Sequence, residues 1–476
     1  MSPLLQNFPT EILEAIFENL CIHCQHPHAA SIPDFDTRCG REDKQALASL
    51  CQTSRSICSV AQPMLFHYFN INNIAGSTRP KATLHKFVRA LYLRPDLAHA
   101  VRAIELLPPP NWNDAYPVDR ATWHALRNNQ EYDENGITDV RPSVPLARIA
   151  PLVTKLSPNL EYLRLIAPSL DKFEGWGDIA PLSRMRVLEV VSPCDQHFRM
   201  VDLPNVFRAL PNLEIFRGSH HMRLSCAHHF SGQQMHAFAP NLCDHRPWEI
   251  VPPTLTKAIV GHVDLFRLGT LFDNCPNLED LEMFLVPGTY DWENVMPPDG
   301  ALVSARGSLR RLVVTMHDWL GWIRFPGMFE KKTGAGGISY RANMAFRKMP
   351  ILEDLAVDQC LLHADVVHAT EGQAVDQLSL ALPDSLRSLH VGYVVSWQHL
   401  QPQIRNLAAR RKAGYFQSLA TVRVDPYIPI PKADLEAERR LMGELGIDFV
   451  IGTNQPVQHG QSQQMLTISP GSRYND

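Results

Sequence analysis

Apolar and polar positions along this chain follow two rhythms. From about residue 100 onward a short pattern recurs: apolar, two residues, apolar, one residue, apolar. It occupies Leu160-Leu163-Leu165, Met185-Leu188-Val190, Leu278-Leu281-Met283, Leu309-Leu312-Val314, Leu352-Leu355-Val357, Leu386-Leu389-Val391 and Leu419-Val422-Val424. Weaker copies are Val101-Ile104-Leu106, Leu213-Phe216-Gly218 and Leu255-Ala258-Val260. The last two positions of each copy are two apart, so in a strand they share a face, and the first anchors the turn that enters it. One such strand cannot bury its apolar face alone; stacked neighbours can, as a parallel ladder over a continuous core. The lead-in also repeats, as Ser157-Pro158-Asn159-Leu160, Leu210-Pro211-Asn212-Leu213 and Cys275-Pro276-Asn277-Leu278, and Glu161, Glu214, Glu279 or Glu353 follows the leading leucine. From Leu160 on, leading residues are separated by 23 to 43 residues. That spread predicts irregular repeats with long insertions, or else ordinary strands of another α/β fold; the repeated lead-in favours the first. Between strands, 263–272 reads as a helix with Asp264 as N-cap. Lys432 to Leu445 reads as another, and Ile447 to Ile451 as a final strand.

The N-terminus keeps a helical rhythm. In residues 8–20, Ile12, Leu13, Ile16, Phe17 and Leu20 form one stripe, with Thr10 placed as N-cap and Glu11 suited to the first-turn dipole. After an interruption at about 21–44, Ala46, Leu47, Leu50 and Cys51 form a second stripe that runs on to Ile57, Cys58 and Ala61. Pro63 should break it, before a short apolar segment of Met64, Leu65, Phe66 and Phe69. Helices this short bury too little to stand alone and need a partner, either the following domain or another chain. The chain thus divides into a helical module at 1–75, a repeat region at 76–452 and a tail at 453–476. The tail is rich in Gln, Ser and Gly and is expected to be disordered.

Composition changes this picture only by exclusion. The 45 Lys+Arg against 49 Asp+Glu give a net charge of -4, against a strongly basic nucleic-acid binder. No apolar run approaches the ~20 residues that span a bilayer. The opening residues lack the basic and apolar regions of a secretory signal, and 10 cysteines are too few for a disulfide scaffold, so a reducing compartment, cytoplasm or nucleus, is expected. The 37 prolines predict interrupted elements between insertions at about 108–150, 286–307 and 324–348, the last containing Gly334-Ala335-Gly336-Gly337.

Two groups have metal-binding residue types. Cys21-Ile22-His23-Cys24-Gln25-His26, with Cys39 beyond, has half of a zinc-ligand spacing, but no second Cys-x2-Cys follows. Free cysteine also serves as a small buried hydrophobe, so no metal is assigned. His220, His221, Cys226, His228, His229, His236, Cys243 and His245 match no zinc pattern and read as loop residues. There is no Gly-x-Ser-x-Gly, His-Glu-x-x-His or Gly-x-Gly-x-x-Gly motif, and Lys331-Lys332-Thr333-Gly334 has phosphate-loop residues in the wrong order. The expectation is a non-catalytic chain without a cofactor.

The residues Phe8-Pro9-x-Glu11-Ile12-Leu13-x-x-Ile16-Phe17-x-x-Leu20, Leu47-x-x-Leu50-Cys51-x-x-Ser54-Arg55-x-x-Cys58 and Pro63-x-Leu65-Phe66 resemble an F-box, departing from it in Phe8 for the usual leucine and in the insertion. The strand pattern resembles a degenerate leucine-rich repeat, and the combination looks like F-box proteins of filamentous fungi. The resemblance implies a helical F-box followed by an irregular leucine-rich-repeat solenoid with a parallel strand ladder. It implies that the F-box binds the Skp-type adaptor of an SCF (Skp–cullin–F-box) ubiquitin ligase, and through it a cullin, while the repeats hold a protein substrate. A repeat scaffold acting outside a ligase is the alternative. Carried onto this sequence, Phe8, Pro9, Ile12, Leu13, Ile16, Leu20, Leu47 and Leu50 are the adaptor-facing candidates. Each serves equally well as intramolecular core, because both roles bury apolar area. In the repeats, positions three and five point away from the core. From these, Tyr162, Arg164, Arg217, Asp280, Glu282, Arg311, His390 and Arg423 are the candidate substrate contacts. Acidic and basic residues are mixed among them, as in a protein-recognition face, and neither nucleic acid nor membrane is expected as a partner.

Overall fold

A computed structural model of the chain describes residues 8–25, 38–71, 80–106, 115–117, 143–166, 176–191, 198–199, 204–218, 222–223, 251–261, 271–272, 274–285, 307–316, 346–362, 377–394 and 396–452. The fold is mixed α/β, and its twelve main strands are all parallel. The chain forms two compact units. One runs to Ile166 and includes 176–185; the other begins at Arg186. The histidine group at 220–245, most of the expected helix at 263–272, most of the insertions at 286–307 and 324–348 and the tail at 453–476 lie outside the described residues.

The first unit opens with α1 (Thr10–Glu18), α2 (Ile22–Gln25), α3 (Arg38–Leu50) and α4 (Arg55–His67). Thr10 is the first helical residue rather than the cap; Pro9 caps α1, and its carbonyl accepts from the Ile12 and Leu13 amides. The interruption at 21–44 itself contains α2 and the start of α3. Ser54 caps α4, accepting from the Ile57 amide. Pro63 does not end α4. A mid-helix proline costs about 3 kcal/mol, and here Ile57, Val60, Ala61 and Met64 on the same helix all go into the core. Burying one such side chain is worth about 1.5–3 kcal/mol, enough for several to outweigh the break.

The rest of the unit holds β1 (Tyr68–Asn70), α5 (Pro80–Leu93), α6 (Pro95–Ala100), β2 (Ala103–Leu106), the short antiparallel pair β3 (Ala115–Pro117) and β4 (Ser143–Pro145), α7 (Leu146–Leu156) and β5 (Tyr162–Ile166). The apolar segment expected at Met64, Leu65, Phe66 and Phe69 divides: the first three end α4, and Phe69 lies on the first ladder strand, in register Tyr68↔Ala103↔Tyr162. Phe69 stacks on Phe87 with ring centroids 3.8 Å apart. The unit containing the opening helices therefore continues past residue 75, where the sequence divides the chain.

The second unit carries β6 (Val187–Val191), the two-residue pair β7 (Phe198–Arg199) and β9 (Met222–Arg223), α8 (Pro204–Ala209), β8 (Ile215–Gly218), β10 (Lys257–Gly261), β11 (Asp280–Leu285), β12 (Arg311–Met316), β13 (Asp354–Asp358), α9 (Gln359–Leu362), α10 (Gln377–Ala381), β14 (Ser388–Val394), α11 (Trp397–Lys412), β15 (Thr421–Pro426), α12 (Lys432–Gly443) and β16 (Asp448–Ile451). Its ladder strands pair in chain order and open-ended, β6 to β8, then β10 through β16. Equivalent repeat positions lie side by side: Leu281↔Leu312, Leu312↔Leu355, Leu355↔Leu389, Leu389↔Val422. The repeated lead-in is a hydrogen-bonded turn. The leading leucine's amide donates to the carbonyl three residues back: Leu160 to Ser157, Leu213 to Leu210, Leu278 to Cys275, Leu352 to Met349, at 3.1–3.2 Å. The turn drops the leucine into the core, and Leu160, Leu213, Leu278, Leu309, Leu352 and Leu386 are all fully buried. One residue later a shared carbonyl links each repeat to the next: Glu279 O accepts from both Arg310 and Arg311 amides, and Arg310 O from both Glu353 and Asp354.

Candidate functional site

Helix α1 has two apolar faces. Leu13 and Phe17, one turn apart, are 1% exposed and sit in a core with Cys21, Leu47, Ile57, Val60, Ala61 and Met64. Ile12 and Ile16, one residue earlier in each turn, face out. Phe8, Ile12 and Ile16 are 45%, 45% and 41% exposed, and Pro9 is exposed beside them. A helix cannot place positions i and i+1 on the same contact, since they lie 100° apart. The stripe read as one surface is therefore divided. Among the adaptor-facing candidates, Phe8, Pro9, Ile12 and Ile16 are outward. Leu13 and Leu47 are core and cannot touch another chain, while Leu20 and Leu50 are half-buried against the core.

The candidate substrate contacts lie on the ladder face opposite the leucines, but this face is a paired one. Tyr162, Arg164 and Glu282 are buried, which corrects their assignment as open contacts. Arg164 lies 4.0 Å from Glu105, and Glu105 accepts from Asn70 at 2.8 Å. Lys257 and Arg311 both reach Asp280, at 2.5 and 2.7 Å, from the strands on either side. Desolvation raises the pKa of Glu282, with Arg311 3.9 Å away opposing it. His390 Nε2 contacts Asp425 at 2.8 Å and Arg423 donates to the same carboxylate at 2.9 Å. Burial works against that carboxylate's charge, yet the two hydrogen bonds hold its pKa below the ordinary value. Arg217, Asp280, Arg311, His390 and Arg423 remain half-buried and reachable. The sequence marked this face but not its pairing.

A third feature joins residues far apart in the chain. Cys21 follows α1, Cys24 lies in α2, and His67 ends α4. His67 Nδ1 is 3.7 Å from Cys21 Sγ and 3.4 Å from Cys24 Sγ. The three ligand atoms lie within 4.8 Å of one another. The hydrogen bond from Cys24, helped by His67, lowers Cys21 to about 4, and the same bond pushes Cys24 well up. Around them, the His23 ring meets that of His67 edge-on at 5.8 Å and its Nε2 is 3.4 Å from Glu161. Lys44, desolvated so that its pKa falls to about 8, donates to the Tyr68 carbonyl at 3.1 Å. Sequence reasoning found the Cys-x2-Cys but paired it with His26 and Cys39. The side chains of those two residues lie outside the described part, and His67 was hidden behind Pro63.

Among the described residues, no helix is long and apolar enough to cross a membrane. Compared with models of known protein families and with characterised proteins, the chain matches none.

Proposed function

We propose that this chain is a non-catalytic substrate receptor of an SCF-type ubiquitin ligase. In this reading α1 docks a Skp-type adaptor, the adaptor brings a cullin, and an irregular leucine-rich solenoid holds a protein target. The observation that carries it is the outward set Phe8, Pro9, Ile12 and Ile16 on a helix whose other face is already sealed. An outward pair at i and i+4 with a flanking aromatic is the anchor pattern of a helix that lies in a partner's groove. Target contacts would come from the half-buried Arg217, Asp280, Arg311, His390 and Arg423, whose mixed charge selects for a complementary protein surface. Catalysis would be by proximity: a held target meets a ubiquitin-carrying enzyme at high effective concentration, with no reacting group on this chain.

The test is affinity of the full chain for a Skp-type adaptor. Ile12→Asp/Ile16→Asp is expected to weaken it at least ~30-fold, the loss of a hot-spot residue worth about 2 kcal/mol. The circular dichroism spectrum should be unchanged, since neither side chain is in the core. An intact chain that does not bind the adaptor, or a double variant that binds like wild type, overturns the proposal. Cullin co-purification separates a ligase subunit from a repeat scaffold.

A further inference from the structure

We propose that Cys21, Cys24 and His67 bind one zinc ion. The inference stands apart from adaptor docking and rests on distances. Zinc takes sulfur at ~2.3 Å and imidazole nitrogen at ~2.0–2.1 Å in a tetrahedral array, which puts sulfur and nitrogen about 3.6 Å apart. Here the same ring nitrogen, Nδ1, is 3.7 Å from one sulfur and 3.4 Å from the other. All three ligand atoms fall within 4.8 Å of one another, close enough for a single ion to bond all three. No other group of three or more such residues with this spacing occurs among the described residues.

The local backbone explains the convergence. α1 ends with the Cys21 amide donating to the Glu18 carbonyl, and the next turn closes with Gln25 donating to Cys21. That turn brings both sulfurs of the Cys-x2-Cys to one side, and His67, the last residue of α4, meets them there. Two thiolates and a neutral imidazole suit a soft-to-borderline divalent ion. A +2 ion also cancels both thiolate charges, which burial alone would penalise. The fourth ligand comes from outside the trio. Bound in this way, zinc would tie the segment after α1 to the residue that precedes β1, setting the docking helices on the first ladder strand. Cys51 and Cys58 supply the contrast. They lie on the same helical module, and among the described residues neither belongs to a group of three metal-binding side chains.

The experiment is elemental analysis and metal titration of the full-length chain, purified under reducing conditions. One zinc per chain is expected. Cobalt exchanged into the site should give the thiolate-to-cobalt charge-transfer band and the strong d–d bands of a tetrahedral ion. Cys24→Ser and His67→Ala should each weaken zinc at least ~10-fold against a competing chelator, the loss that even an outer-shell partner produces. Cys51→Ser should bind as wild type does. Should Cys24→Ser fail to fold, wild-type chain stripped by chelator and titrated with zinc decides the matter: uptake of one equivalent supports the site. Three results would overturn it: no uptake, wild-type affinity in a Cys21→Ser/Cys24→Ser variant, or a Cys21–Cys24 disulfide that takes up no zinc after reduction.

Discussion

Strand β14 and helix α1 both carry apolar residues at a regular period and treat them differently. β14 hides Leu389 and Val391 completely between the strands on either side, and its outward His390 is engaged by Asp425. α1 hides Leu13 and Phe17 and leaves Ile12 and Ile16 exposed, with Phe8 exposed just ahead of it. The ladder thus engages much of its second face by cross-strand ion pairs, whereas α1 leaves large apolar side chains exposed. Apolar area inside a core belongs to the fold; only a contiguous patch outside it is of the kind that marks an interaction surface.

Breaking this contrast is simplest at the leucines. Leu389→Ala should cost about 2–5 kcal/mol in denaturant melts, as buried leucines do. Ile16→Ala should change stability by no more than about 0.5 kcal/mol. Equal losses would mean that the outward face of α1 is packed in solution. A smaller effect is expected at Gly452. A β-carbon there would collide with the Asp425 carboxylate, which His390 and Arg423 hold in place. Gly452→Ala should therefore cost about 1–3 kcal/mol, as overpacking does. Gly307→Ala, whose β-carbon meets open space, is the control.

The smallest effects separate two carboxylates of the second face by sign. Asp425 has a lowered pKa, so its stabilisation is present above the ordinary carboxylate value of ~3.9 and is lost as pH falls through the lowered one. Glu282 has a raised pKa, so it favours folding when protonated and opposes it as pH rises through the raised value. Asp425→Asn should lower the melting temperature at neutral pH. Glu282→Gln should raise it there, with the gain vanishing in acid. Two shifts of the same sign at neutral pH would refute the assignment.

The core of the ladder was legible because it depends on a local rule. A period of two and a turn of fixed length decide which side chains go inside, whatever the return between strands contains. Its charged face was only half legible. Arg164 and Glu105 are 59 residues apart, and which charge lies beside which depends on register across returns of uneven length. α1 was read as one stripe because two residues 100° apart look alike in sequence. His67 escaped for a further reason: a proline usually ends a helix, and only tertiary burial of Val60, Ala61 and Met64 carried α4 four residues past Pro63. Pro402 similarly stands inside α11, where Trp397, Leu400, Ile404 and Leu407 are buried.

The charges along the ladder also favour the observed strand order. Neighbours in one row read Lys257, Asp280, Arg311, Asp354. The row before it reads Glu279, Arg310, Glu353, Arg387, with Arg310 and Arg387 both contacting Glu353. Because sign alternates in both rows, a strand that bypassed its rightful neighbour while the chain was assembling would set Asp280 against Asp354 and Glu279 against Glu353 together. Like charges opposed across strands repel. Leucines at every repeat are alike and do not oppose such a mistake; the alternating charges disfavour it.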